Sequence, residues 1–254
     1  MPYFVISDIR GNIEALNSVL KHRQPEDTLV FLGNYIDGED SLGVVRRLIE
    51  LKNEEPEKVV VLRGSREQFL LNFLESPFFT YLPYAMTGGF STLKEVLPPY
   101  MQKTNSWVTM PFVYKHLFKK KYRAIIEFIQ DMPFHHETSN ILFTPAGFDP
   151  QQKMWQSTPK YQFLWIKKHY RYPNKTGKLN VFGNTPTSNI HKSISLDIWL
   201  NEEKTYLAIN GDIINRGKLH AVRLSDGGNL LETFTIEHPH SDEDLYSKSR
   251  KIVK

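Results

Sequence analysis

The 254-residue chain contains no cysteine. That absence excludes disulfides, a thiolate nucleophile and any thiolate-bound metal. No uninterrupted apolar run approaches the ~20 residues that cross a bilayer, so neither a spanning helix nor a membrane partner is expected. A nucleotide-binding glycine loop and a serine nucleophile elbow are both missing. So is any internal repeat. Net charge is +4 and the pI is near 9.0, yet no basic stripe interleaved with aromatics is present, and no nucleic-acid partner is expected. The densest basic cluster, Lys119 to Lys121, reads as a solvated helix face. A strand beginning at residue 3 leaves no room for a secretory signal, which makes a cytoplasmic location the expectation.

What is present is ordinary for a globular protein: 40% hydrophobic and 24% charged residues, enough length for a substantial core. The chain is organised around Tyr3 to Asn12, YFVISDIRGN. Four apolar, β-favouring residues lead into Ser7, Asp8 and Gly11, and helical spacing starts at Ile13 with Leu16, Val19 and Leu20. The order strand, loop, helix then repeats. Thr28 to Leu32 delivers Gly33, Asn34, Tyr35, Ile36 and Asp37 ahead of a helix that Asp40 or Ser41 can cap. Lys58 to Leu62 delivers Arg63, Gly64, Ser65, Arg66 and Glu67 ahead of Phe69 to Leu74. Such alternation predicts parallel strands with right-handed crossovers, and it sets the three loops along one rim at the carboxyl ends of the strands, where α/β sites are built. By itself, Asp8 could equally cap the first helix.

Further along, Phe112 to Ile129 has helical spacing. Strands are expected around Phe134 and over Ile141–Phe143, Leu179–Phe182, Ser193–Trp199, Thr205–Ile209, Leu219–Leu224 and Leu230–Ile236, the last two joined by a Ser225–Asn229 hairpin. This half reads as rich in antiparallel pairs. The expectation is a single domain over residues 1–240 and a polar, frayed tail over 241–254.

Taken together and in order, the loops resemble those of the PPP-type (calcineurin-like) metallophosphoesterases, which include serine/threonine phosphatases and diadenosine tetraphosphatases. The matching segments are SDIRGN from Ser7, GNYIDGE from Gly33, RGSRE from Arg63, TPAG from Thr144, VFGNTP from Val181 and INGD from Ile209, with FLWIKK from Phe163 and GKLHAVRL from Gly217. The resemblance covers residues 3 to about 236. It implies an α/β fold, a four-layer α/β/β/α sandwich of two mixed β-sheets. It also implies where two metal ions would sit, and there the chain departs from the family. Of the metal-ligand positions only Asp8 keeps its residue. A histidine position holds Arg10, the bridging aspartate position Asn34, an asparagine position Ser65, and two later histidine positions Pro145 and Asn184. Arg66 stands where the family has a histidine beside the leaving group, Asp37 where it has that histidine's partner, and Asn210 falls in the last motif.

The chemistry of these residues supports the same conclusion. Arginine carries donors only and a permanent charge, so Arg10 cannot ligate a cation. Proline offers no side-chain ligand, and an amide oxygen is a poor substitute for a carboxylate or imidazole. Hence no metal cofactor is expected, and no catalytic residue. Anion binding is the surviving role: Arg63 and Lys167 match positions that the resemblance assigns to the substrate phosphate, and Arg10 and Arg66 add charge, so the site is expected to be cationic. The expected function is a pseudophosphatase that binds a phosphate-bearing ligand or phosphoprotein, or serves as a scaffold. The alternative is an active phosphoesterase with one or two divalent ions (manganese, iron or zinc) held by Asp8, Asn34 and Asn184. A structural reading is also open, in which Asp37 pairs with Arg66 and Asp8 with Arg10.

Other candidates are bland. His135 and His136 alternate faces beside an expected strand and so cannot readily chelate one ion; His238 and His240 fall near the chain end. The aromatic stretch Phe78 to Tyr84 is expected to pack in the core rather than to form a partner surface.

Overall fold

The computed structural model describes residues 1–98, 110–215 and 217–238. Strand β1 (Tyr3–Ile6) is followed by α1 (Ile13–Leu20), β2 (Thr28–Phe31), α2 (Ser41–Glu54), β3 (Val59–Val61) and α3 (Ser65–Glu75). Local chemistry fixes the helix starts. The Asn12 side chain accepts the Ala15 N–H at 2.8 Å, and Asp40 accepts that of Gly43 at 2.9 Å, each satisfying an otherwise orphaned donor of the first turn. Asp8 therefore does not cap α1. Next come α4 (Pro77–Tyr84), a π-helical turn Ala85–Gly89 broken at Gly88 with φ 108°, α5 (Phe90–Glu95), α6 (Met110–Lys121) and α7 (Arg123–Asp131). The remainder comprises β4 (His136–Glu137), β5 (Ile141–Thr144), α8 (Gln162–Trp165), β6 (Leu179–Phe182), α9 (Thr187–His191), β7 (Trp199–Leu200), β8 (Tyr206–Ala208), β9 (Lys218–Leu224) and β10 (Leu230–Glu237).

Among the described residues ten strands form two mixed sheets, in the orders β10-β9-β1-β2-β3 and β4-β5-β6-β8-β7. In the first, β1, β2 and β3 run parallel and β9 pairs antiparallel with β1, Tyr3 opposite Leu224. In the second, β5, β6 and β8 are parallel between antiparallel edge strands. The period of two sorts side chains between layers. Val5, Val30, Ile141, Phe143, Val181, Leu207, Val222 and Leu224 meet between the sheets. Phe4, Ile6, Leu29 and Phe31 face the helices on one outer side, while Leu142, Phe182, Tyr206 and Ala208 face Trp155, Phe163 and Ile190 on the other.

Several expectations are corrected by tertiary context. No strand forms around Phe134; the short β4 begins at His136. Ser193 to Ile198 is not strand, because Ile194 is 99% exposed and the Ser193 and Ser195 hydroxyls accept the N–H groups of Ser195 and Asp197, each at 3.2 Å, a local alternative to a ladder. The expected single helix through Ile129 divides at Tyr122, whose φ of −124° is non-helical. The second half is rich in antiparallel pairs, as expected, at the sheet edges and in the β9–β10 hairpin, while β5, β6 and β8 run parallel at the centre of the second sheet. Phe78 and Phe79 on α4 are 74% and 79% exposed, whereas Tyr81 and Tyr84 are buried, so the aromatic stretch is divided between core and surface. His240 and the expected frayed tail fall outside the described residues.

Candidate functional site

The carboxyl ends of the parallel strands in both sheets point to one rim, and their loops are knitted there backbone to backbone. Asp8 N–H donates to the Gly33 carbonyl at 3.1 Å, Arg10 N–H to Asn34 at 3.0 Å, Gly183 N–H to Pro145 at 3.0 Å and Thr187 N–H to Asn210 at 3.0 Å. The approach is close: a Cβ on Gly38 would overlap the Arg10 carbonyl, and one on Gly183 would overlap the Ser7 hydroxyl. Six non-glycine residues of these loops have left-handed backbones, namely Asp8, Arg10, Asn34, Asp37, Asn184 and Asp212, with φ between 50° and 71°. Asparagine and aspartate tolerate that region; for Arg10 it is rarer, and such strain persists only where surrounding contacts impose it.

Five residues singled out in the sequence, Asp8, Asn34, Ser65, Arg66 and Asn184, form one hydrogen-bonded cluster. The Asn34 side-chain amide donates to Asp8 Oδ1 at 2.9 Å and to Asn184 Oδ1 at 3.2 Å. Its oxygen accepts from the Ser65 hydroxyl at 3.1 Å and from Arg66 N–H at 3.2 Å. Asp8 Oδ2 accepts from the Ser7 hydroxyl at 2.5 Å and from Asn184 N–H at 2.8 Å, which ties the two sheets together. Burial raises the Asp8 pKa, and the donors from Ser7, Asn184 and Asn34 pull it back. Behind this cluster Glu67, fully buried, accepts the N–H groups of Asn34, Tyr35 and Gly64 at 2.7 to 2.9 Å. It holds the second loop against the third. Nothing in the sequence reading gave Glu67 that task, because its acceptors become useful only once the loops have met.

In front lies a crevice of about 430 Å³ lined by Asp8, Arg10, Arg66, Asn184, Asn210 and Asp212, with Thr87 and Gly88 on its rim. Arg10 donates to the carbonyls of Ile36 at 3.2 Å and Asp37 at 3.3 Å. Arg66 donates to the Thr87 carbonyl at 2.5 Å and lies 3.9 Å from the Asp37 carboxylate. Burial lowers the Arg10 pKa and the Arg66 charge lowers it further, against the pull of Asp37 and Asp8. Asp37 accepts from Tyr84 and Thr92 hydroxyls through Oδ1, each at 2.9 Å, and burial raises its pKa. Of the residues expected to bind phosphate, the crevice gathers Arg10 and Arg66. Arg63 turns away to Gln68 and the Gln130 carbonyl, its guanidinium over the Phe134 ring, and Lys167 is exposed outside the crevice. Pro145 contributes its carbonyl. Asp212, absent from the sequence expectation, adds a carboxylate, so the lining is of mixed charge.

No group of three or more His, Asp or Glu that could hold a metal ion occurs among the described residues. His135 stacks on Phe163 and His136 on Phe143, on separate neighbours. A larger cleft, about 550 Å³, opens at the other end of the strands beside Gly227 and Gly228, away from the motif loops.

Comparison with known proteins agrees with the geometry. The family model for calcineurin-like phosphoesterases matches residues 1–201. No curated protein matches. Among solved structures, the chain is similar to one described as "a putative diadenosine tetraphosphatase" (TM-score 0.61, 15% identity, 94% of each chain covered). It is also similar to a protein serine/threonine phosphatase from Saccharomyces cerevisiae with similarity to human phosphatase PP5 (0.58, 14%, 94% of this chain and 82% of that one). A third is a metallophosphoesterase from Sphaerobacter thermophilus (0.51, 10%, 99% and 95%). At these identities the likeness to solved structures concerns the fold.

Proposed function

The chain belongs to the calcineurin-like phosphoesterase family, and from that premise we propose that it is a non-hydrolysing member, a pseudophosphatase, whose crevice receives a phosphate-bearing ligand. The observation that carries this reading is the placement of the Asn34 amide. A dinuclear centre needs lone pairs converging on two cations, whereas Asp8 Oδ1 and Asn184 Oδ1 both accept from Asn34, and Asn34 Oδ1 is itself occupied by Ser65 and Arg66. That donor set, with the Arg10 guanidinium beside it, does not fit two divalent ions. Phosphate-monoester hydrolysis demands up to ~10²¹-fold acceleration, and the activated water of a metal pair has no substitute here, since arginine is no proton donor near neutrality.

Binding is supported by the two guanidiniums, which disfavour one another and face a space large enough for a phosphate ester. Asp212 on the lining favours a ligand that presents a hydroxyl or amine beside its phosphate. Two measurements test the proposal. Elemental analysis of protein expressed with manganese, iron and zinc and then desalted should give near-zero metal, with no hydrolysis of 4-nitrophenyl phosphate. Calorimetric titration with phosphoserine should saturate and weaken by about tenfold or more in Arg66→Ala, given ~1.5–3 kcal/mol for a hydrogen bond to a charged group. Close to two ions per chain, with hydrolysis abolished by Asp8→Ala, would return the enzyme reading. No saturable binding would leave the scaffold.

A further inference from the structure

Outside the crevice, one face of α4 exposes a row of apolar side chains. Phe78, Phe79, Leu82 and Met86 are 74%, 79%, 64% and 79% exposed, and with exposed Pro83 they form one side of the helix and the turn after it. The other side is anchored: Tyr81 packs at a tilt against Phe73 and stacks on Tyr114, and Tyr84 stacks on Phe73. Helix α6 lies against it, with Lys115 donating to the Glu75 carbonyl at 3.1 Å. The outward stripe of α6 runs Phe112, His116, Lys119 and Lys120, all exposed. Apolar surface of this kind in a soluble domain marks an interaction site.

Charge indicates what covers it. From Ser76 to Tyr122 the sequence carries six lysines and one acidic residue, Glu95. That glutamate is spent internally, accepting the N–H groups of Ser41 and Leu42 at 2.8 Å each. This stretch therefore accounts for the whole of the chain's +4, the remainder being close to neutral. An exposed apolar ridge flanked by lysines, with Glu75 just before α4 as an adjacent exposed carboxylate, is the arrangement that lies on anionic lipid: aromatic side chains enter the headgroup boundary and lysines meet its negative potential. A protein partner would need a pocket to match a protruding ridge. The absence of a spanning run is no obstacle, since a surface-lying helix needs none. We infer that the α4–α6 face docks the protein on an anionic membrane surface, independently of what the crevice binds.

Sedimentation of the full chain with phosphatidylcholine vesicles, with and without about a third phosphatidylserine, tests this. Binding is expected to the anionic vesicles, to weaken with salt, and to be at least tenfold weaker in Phe78→Ser/Phe79→Ser and in Lys119→Glu/Lys120→Glu. The substituted side chains are exposed, so the circular dichroism and Tm of both variants should match the unmodified chain. No binding to anionic vesicles would overturn the inference. So would binding that the phenylalanine variant leaves unchanged, which would be diffuse attraction to a basic protein, or a dimer in solution that the same variant dissociates, which would assign the face to a second copy of the chain.

Discussion

Asn34 donates its side-chain amide to Asp8 across 2.9 Å, joining the loop after β1 to the loop after β2 through a neutral donor and a buried carboxylate. The pair is stable because one partner is uncharged. Replacing Asn34 by aspartate would set two carboxylates together in a buried site, where both cannot ionise. Asn34→Asp is expected to lose about 1–3 kcal/mol at neutral pH in urea unfolding. A carboxyl with a raised folded-state pKa contributes stability at low pH that is lost as pH rises, so this deficit should shrink towards pH 4. An unchanged midpoint at both pH values would contradict the network described above.

His169 gives the opposite dependence. It is buried among Phe148, Phe182 and Tyr206, and its Nε2 lies 3.3 Å from Asn180 Oδ1. The Asn180 amide nitrogen already donates to Leu142 and Thr144, so Nε2 carries the proton, and Nδ1 has no hydrogen-bond partner. Burial holds the pKa down to about 3. The neutral ring contributes stability present above the ordinary histidine pKa of ~6.5 and lost as pH falls towards 3, at ~1.4 kcal/mol per pH unit. Unfolding free energies at pH 7, 6, 5 and 4 should show this slope in the unmodified chain relative to His169→Gln.

Asp27 and Arg223 bind the C-terminal hairpin to the first crossover. Arg223 Nε donates to Asp27 Oδ2 at 3.0 Å, its Nη2 reaches the His22 carbonyl at 2.7 Å, and Glu232 pairs with its outer edge. Asp27→Ala leaves a nearly buried guanidinium short of its charge partner, and a loss of about 3 kcal/mol in chemical denaturation is expected. A loss below ~1 kcal/mol would mean that Glu232 alone compensates.

Gly38→Ala should separate the first two loops, because the added methyl meets the backbone carbonyl of Arg10 and no side chain can move aside. Overpacking of this kind costs ~1–3 kcal/mol. Faster amide exchange at Arg10, Gly11 and Asp40, whose N–H groups bond across the loops, would locate the damage; intact protection there would contradict the packing.

Much of the fold was legible because its signals are local. The three strand–loop–helix repeats, the Asp40 cap and the Ser225–Asn229 hairpin each follow from residues within a few positions of one another. Ser193 to Ile198 misled because alternation describes a strand only where a neighbouring strand exists to pair with it. Phe78 and Phe79 misled because composition measures apolarity and not direction: on α4 the tyrosines won the inner face.

The site divides in the same way. By its ordered motifs the sequence alone determined which loops reach the rim, since a loop at the carboxyl end of a parallel strand has nowhere else to go. Tertiary structure decided what they do there. Asn34 meets Asn184 across 150 residues, Arg63 leaves for Gln68, Phe134 and the Gln130 carbonyl, and Asp212 joins the crevice that Lys167 does not reach. Side-chain hydrogen bonds between distant loops depend on ångström-scale distances that only the packed sheets set. That is why the motif loops could be located in advance, whereas which of their side chains line the crevice and how they pair could not.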